Sequence, residues 1–151
     1  MFLFETSGLT IQVIEDNTKM GSLGVPEYIP SAAVDSTDIK GIDAVVYVTS
    51  AFFKLTLPSQ QVILFHEAGH VACGHLELDE AKTSDLVIND DLEAEADTWA
   101  VTKSSIAAFD AALYECGEII AVAINADEVT KRAIEESLEK RIALRDAWMT
   151  K

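Results

Sequence analysis

The segment His66-Glu67-Ala68-Gly69-His70 puts two imidazoles and a carboxylate within one short stretch of chain. Histidines four apart lie one turn from each other on the same face of an α-helix, so both can reach a single ion. A glutamate next to the first histidine can stand beside that ion without ligating it. Two nitrogen ligands and a carboxylate base for water are the requirements of zinc-dependent peptide hydrolysis. The surroundings favour this reading over a chance match on a solvated helix. All the histidines of the chain fall between His66 and His75. The flanks are apolar, Val62-Ile63-Leu64-Phe65 before the motif and Val71-Ala72-Cys73 after it. A histidine pair and a glutamate buried in such a helix without a metal would be costly.

A catalytic zinc takes three protein ligands and keeps one position open. On a continuing helix, His75 points away from the face shared by His66 and His70. It reads instead as a cation at the helix end, where free carbonyls accept. The metzincin spacing would put a third histidine six residues after His70, and that position is Leu76. Cys73, one turn beyond His70 but well round the helix, is a weak candidate. Glu93 is a better one. Glu93 and Asp97 are four apart on one helix face, flanked by the small residues Ala96 and Ala100, which let that helix approach the motif helix closely. Glu93 then completes a His-His-Glu site. Asp97 accepts a hydrogen bond from the far nitrogen of a ligand imidazole and fixes its tautomer. Glu95 and Asp91 point elsewhere and read as surface acids.

These residues need elements to hold them. Leu9–Glu15 alternates and Ala44–Thr49 is β-branched and aromatic, so both read as strands. Residues 16–41 carry glycines, prolines and polar side chains and read as irregular or short hairpin structure. Pro58 and Ser59 open the motif helix, with Pro58 at its first position, and Gly74 ends it in the left-handed conformation. Apolar residues run all round this helix, which makes it central and buried. Asn89-Asp90-Asp91 offers a cap for the helix bearing Glu93. Further helices follow over about Ser105–Ala123 and from near Asp127, the last with Ile134, Leu138 and Ile142 at four-residue spacing on its inner face. Strands first and helices after predict an α+β fold, a small N-terminal sheet packed on a mostly helical C-terminal part.

At 151 residues and 49% apolar content the chain is read as one globular domain, 1–151. No uncharged apolar run approaches the roughly 20 residues that span a bilayer. Met1-Phe2-Leu3-Phe4 is too short for a signal peptide and lacks a basic start. The expectation is a soluble, cytoplasmic protein with no membrane partner, its Cys73 and Cys116 reduced and buried. A net charge of −15 argues against nucleic acid as a partner. Nine acids against a single lysine lie between Glu77 and Asp97. That run is either a solvated face or a rim that attracts basic peptide segments.

The stretches Tyr47–Phe53, Val62–Leu76 and Leu92–Val101 resemble the gluzincin zinc peptidases. The resemblance is greatest to the catalytic core of the HtpX/Ste-type peptidases, with their strand, HExxH helix and downstream E-x-x-x-D helix. The soluble ImmA/IrrE-like peptidases are similar. A weaker echo lies in Ser137-Leu138-Glu139-Lys140-Arg141-Ile142, which is similar to a C-terminal segment of the membrane family. The resemblance implies a zincin-like fold, His66, His70 and Glu93 as zinc ligands, Glu67 as general base and Asp97 behind a ligand. It also implies that the strand near Ala44–Thr49 is the sheet edge beside which an extended substrate binds. Two features depart from the family. The transmembrane helices are absent, and Glu135 stands where the family's histidine precedes the C-terminal segment. The oxyanion stabiliser is left open among Tyr47, Tyr114 and Tyr28. The expected activity is zinc endopeptidase on protein or peptide substrates. Two rivals are a zinc-binding regulatory module with little proteolysis of its own and a structural component with a vestigial site. An intact Glu67 argues against the vestigial form.

Overall fold

Apolar alternation in Leu9–Glu15 and the β-branched run after Asp43 do form strands, and they are the middle of a sheet. In the computed structural model, which describes residues 1–78 and 86–151, the strands are β1 (Phe2–Thr6), β2 (Leu9–Glu15), β3 (Ala32–Asp35) and β4 (Ala44–Val48). Their order across the sheet is β1-β2-β4-β3. β2 and β4 pair in parallel, with Ile11 opposite Ala44 and Val13 opposite Val46. β1 and β3 flank them antiparallel. The fold is therefore α+β with a small mixed sheet at its N-terminal side. β1 falls where sequence reasoning placed no strand, and β3 lies in the stretch read as irregular or short hairpin structure. Both are exposed or half-buried edges, so they lack the apolar alternation that marks β2. β4 is paired on both sides, so it is not the sheet edge; β3 is.

The helices are α1 (Asn17–Ser22), α2 (Leu57–Ala72), α3 (Leu86–Lys103), α4 (Ile106–Ala123) and α5 (Glu128–Met149). The short α1 was also unforeseen; Asp16 caps it, accepting from Lys19 N at 2.8 Å. α2 opens one residue before Pro58, with Thr56 as its cap. Thr56 makes no capping bond to α2 itself. Glu115 of α4 serves instead, accepting from Thr56 N at 2.5 Å and from the Ser59 hydroxyl at 2.6 Å. α4 and α5 start where the sequence reading put them, and Ser105 and Asp127 cap them. The predicted cap Asn89–Asp91 lies inside α3, which already runs from Leu86.

α2 is buried from two sides, in keeping with its all-round apolar content. Its Leu64 and Ala68 join Ile11, Val13, Val46, Val48 and Phe52 under the sheet. Its Val62 joins Ala100, Val101, Phe109 and Ala112 of α3 and α4 in a second cluster, with Leu138 and Ile142 of α5 against it. At about 25 cal/mol per Å² of apolar surface, each fully buried Phe or Val contributes about 1.5–3 kcal/mol. These two clusters thus hold the motif helix in place. Among the described residues no helix is long and apolar enough to cross a membrane.

Candidate metal centre

Gly69, inside the motif, sets how close α2 and α3 come. A Cβ there would stand 3.0 Å from the Ala96 carbonyl oxygen and 3.2 Å from Trp99 Cβ. Ala96 and Ala100 are fully buried at the same contact. Small residues on both helices bring the Glu93–Asp97 face of α3 against the His66–His70 face of α2.

Three side chains then converge through two ring nitrogens and both oxygens of one carboxylate. His66 Nε2 and His70 Nε2 are 3.1 Å apart. Glu93 reaches both, with Oε2 3.1 Å from His66 Nε2 and Oε1 3.2 Å from His70 Nε2. A tetrahedral ion with ligands at about 2.0–2.1 Å separates its donor atoms by about 3.3–3.4 Å. The spacings between these side chains are therefore close to those across a zinc ligand face. Glu67 groups with the same two histidines, with Oε1 4.0 Å from His66 Nε2. It is buried, whereas the Glu93 side chain is 55% exposed, leaving an opening to solvent on that side.

Asp97 lies behind His66. Its Oδ1 is 2.6 Å from His66 Nδ1, a buried nitrogen with no other partner among the described residues. Asp97 also accepts from Arg141 of α5, from Nε at 2.9 Å and Nη2 at 2.8 Å. Arg141 belongs to the Ser137–Ile142 segment, where sequence reasoning assigned it no role. Its signal there was the basic residue in a segment already singled out, and only packing of α5 on α3 shows what it touches.

The electrostatics favour a cation. Burial alone would lower the His66 pKa, but the carboxylates of Asp97 and Glu93 outweigh it and raise it to about 10. Burial would raise Glu93, yet the His66 and His70 imidazoles beside it hold it well below the usual carboxylate range. Asp97 is lowered in the same way by Arg141 and His66, against its burial. Burial raises the Glu67 carboxyl, partly offset by the nearby imidazoles. Three carboxylates face a single guanidinium, and both imidazoles turn Nε2 toward the shared point. The donor set, its spacing and its charge fit a divalent ion of borderline softness such as zinc.

A cleft of about 320 Å³ opens beside His66, Glu67 and Glu93. Its walls include Pro30–Ala32 leading into β3, apolar residues of α2 and α4, and Arg141. Tyr47, Tyr114 and Tyr28 do not line it. Tyr47 lies on the sheet beneath Lys19, and Tyr114 on the groove between α4 and α5. The acidic run is described only in part, since residues 79–85 lie outside the described residues; Asp91 stands at the surface, 3.9 Å from Lys151.

Two sequence readings are corrected here. α2 ends at Ala72 and Gly74 takes the left-handed conformation expected of it, φ +76°, but the turn carries His75 back toward α2 and not to the free carbonyls of the helix end. His75 is thereby buried, with Nδ1 2.8 Å from His70 Nδ1. Glu95 is not a detached surface acid, since its Oε1 is 2.6 Å from His75 Nε2. Compared with known proteins, the chain matches no family model, no curated protein and no solved structure.

Proposed function

We propose that this protein is a zinc-dependent endopeptidase of zincin-like fold, related to the gluzincins. The observation that carries this reading is the convergence of His66 Nε2, His70 Nε2 and the two Glu93 carboxylate oxygens at 3.1–3.2 Å, with Glu67 beside them at the head of a cleft. His66, His70 and Glu93 hold the zinc. A bound zinc supplies Lewis-acid polarisation of the scissile carbonyl and makes water acidic enough to attack near neutral pH.

The chain's own residues do the rest. Glu67 takes a proton from the attacking water and passes it to the departing amine. Its burial raises its proton affinity toward that of a useful base. Asp97 keeps the His66 Nδ1 proton in place, so that Nε2 presents its lone pair. Arg141 uses two of its N–H groups on Asp97 and lines the cleft with the remainder, where it can meet charge developing on a carbonyl oxygen. The free edge of β3 runs beside the cleft and offers main-chain hydrogen bonds to an extended peptide.

The test is zinc analysis of gently purified protein, with a peptide-library digest by wild type and Glu67→Gln. The expected result is about one zinc in both and hydrolysis lower by about 10²–10⁴-fold in the variant. Equal cutting by both removes Glu67 as base. Full zinc with no cutting by either replaces the endopeptidase with a binding module.

A further inference from the structure

The second nitrogen of His66 is met by Asp97, and the second nitrogen of His70 is met by something else. His70 Nδ1 lies 2.8 Å from His75 Nδ1, and His75 Nε2 lies 2.6 Å from Glu95 Oε1. His75 is 8% exposed, and the Glu95 side chain stands at the outer end of the row with 35% exposure. Neither residue takes part in the reaction outlined above.

The proton positions follow from the outer end inward. An ionised Glu95 can only accept, so His75 carries its proton on Nε2 and donates it there. His75 Nδ1 then holds a lone pair and accepts. His70 must carry its proton on Nδ1 and donate to His75, which leaves His70 Nε2 unprotonated and directed at His66 and Glu93. Each ring nitrogen of the row then has a partner, His70 Nε2 being 3.1 Å from His66 Nε2.

We propose that His75 and Glu95 are positioning residues that fix the tautomer and ring plane of His70, so that its Nε2 is presented to the ion. This rests on the zinc-site reading and extends it, giving His70 the support that Asp97 gives His66. The device depends on Gly74. Its left-handed conformation folds His75 back over the last turn of α2, and a side chain at that φ would be strained.

Cys73, His75 and Glu95 also form a grouping with donor atoms close enough for a second ion. The distances favour the hydrogen-bonded row. Donors round one tetrahedral ion stand about 3.3 Å apart, whereas 2.6 Å between His75 and Glu95 is a charge-assisted hydrogen bond. His75 Nδ1 is also already committed to His70.

The experiment measures zinc affinity by chelator competition and ring-nitrogen NMR of the metal-free protein. The variants are His75→Phe, His75→Gln, Glu95→Ala and Glu95→Gln. His75→Phe and Glu95→Ala are expected to weaken zinc by roughly 10–100-fold. His75→Gln and Glu95→Gln, which keep an acceptor or donor in the row, recover most of that loss. In the metal-free wild type His70 is protonated on Nδ1, and in His75→Phe it becomes a mixture of tautomers. Unchanged affinity and tautomer in His75→Phe overturn the proposal, as does a wild-type His70 protonated on Nε2. Two zinc ions per chain, one of them lost in Cys73→Ala, would replace the row with a second ion site. A wild type that binds no zinc defeats the zinc reading alone, and the metal-free spectra still decide the role of His75.

Discussion

Asp97 joins the candidate metal site to α5, and its removal separates two effects. Asp97 is 1% exposed, lies 2.6 Å from His66 Nδ1, and accepts two hydrogen bonds from Arg141. In Asp97→Ala the imidazole loses its acceptor, so zinc affinity should fall by about 10–100-fold, which is about 1.4–2.8 kcal/mol. The ion pair is lost as well. A hydrogen bond to a charged group is worth about 1.5–3 kcal/mol. The Arg141 side chain is 39% exposed, so water replaces part of what Asp97 gave it. A loss of about 2–3 kcal/mol overall is reasonable, against a total stability of about 5–15 kcal/mol. The variant therefore folds, with Tm lower by roughly 6–12 °C for a domain of this size. Asp97→Asn keeps a carbonyl oxygen for His66 and the same shape, so it should hold zinc within about tenfold of wild type. Chelator competition and thermal melts of the three proteins give both numbers. If Asp97→Ala binds zinc as tightly as wild type, Asp97 does not orient His66. If the asparagine variant loses as much affinity as the alanine variant, charge matters and the hydrogen-bond argument fails.

Gly69→Ala places a methyl 3.0 Å from the backbone of Ala96, so α3 must shift and carry Glu93 and Asp97 with it. The expected outcome is a loss of about 1–3 kcal/mol from overpacking, despite alanine's better helix propensity, together with weaker zinc binding. A variant as stable as wild type with unchanged affinity would show that the helices are not in such close contact. Glu115→Gln weakens the tie across the start of α2. Burial slightly opposes the Glu115 charge, but hydrogen bonds from Ser59 and Thr56 outweigh it and lower the pKa. A lowered carboxylate contributes stability above its unfolded pKa and loses it as pH falls through the folded value. The gap between wild type and Glu115→Gln in thermal melts should therefore be present at pH 7 and close below about pH 4; a gap that persists there refutes the carboxylate's role. Zinc at about 100 times its Kd should stabilise the domain by about 2.7 kcal/mol, and a chelator should reverse this. No change in Tm with zinc would count against a site formed in the folded state.

Short-range features were readable before any coordinates. The His66–His70 spacing, the all-apolar flanks and the small residues of α3 placed the motif on a buried helix and Glu93 beside it. The reason is local: helical periodicity alone decides which residues share a face. The helix starts near Ser105 and Asp127 and the β-branched run of β4 were legible for the same reason. Edge strands β1 and β3 were not, because an edge has no buried alternation to betray it. The pairing order of the sheet, with β3 and not β4 at the free edge, depends on partners distant in sequence. Arg141 became a partner of Asp97 only when α5 packed on α3. The left-handed turn at Gly74 was legible, but the partners of His75 were not, because His70 and Glu95 meet it only once that turn packs against α3. Sequence spacing determines what one element can present; which elements meet, and whose nitrogen faces whose carboxylate, is decided by the packing of the whole chain.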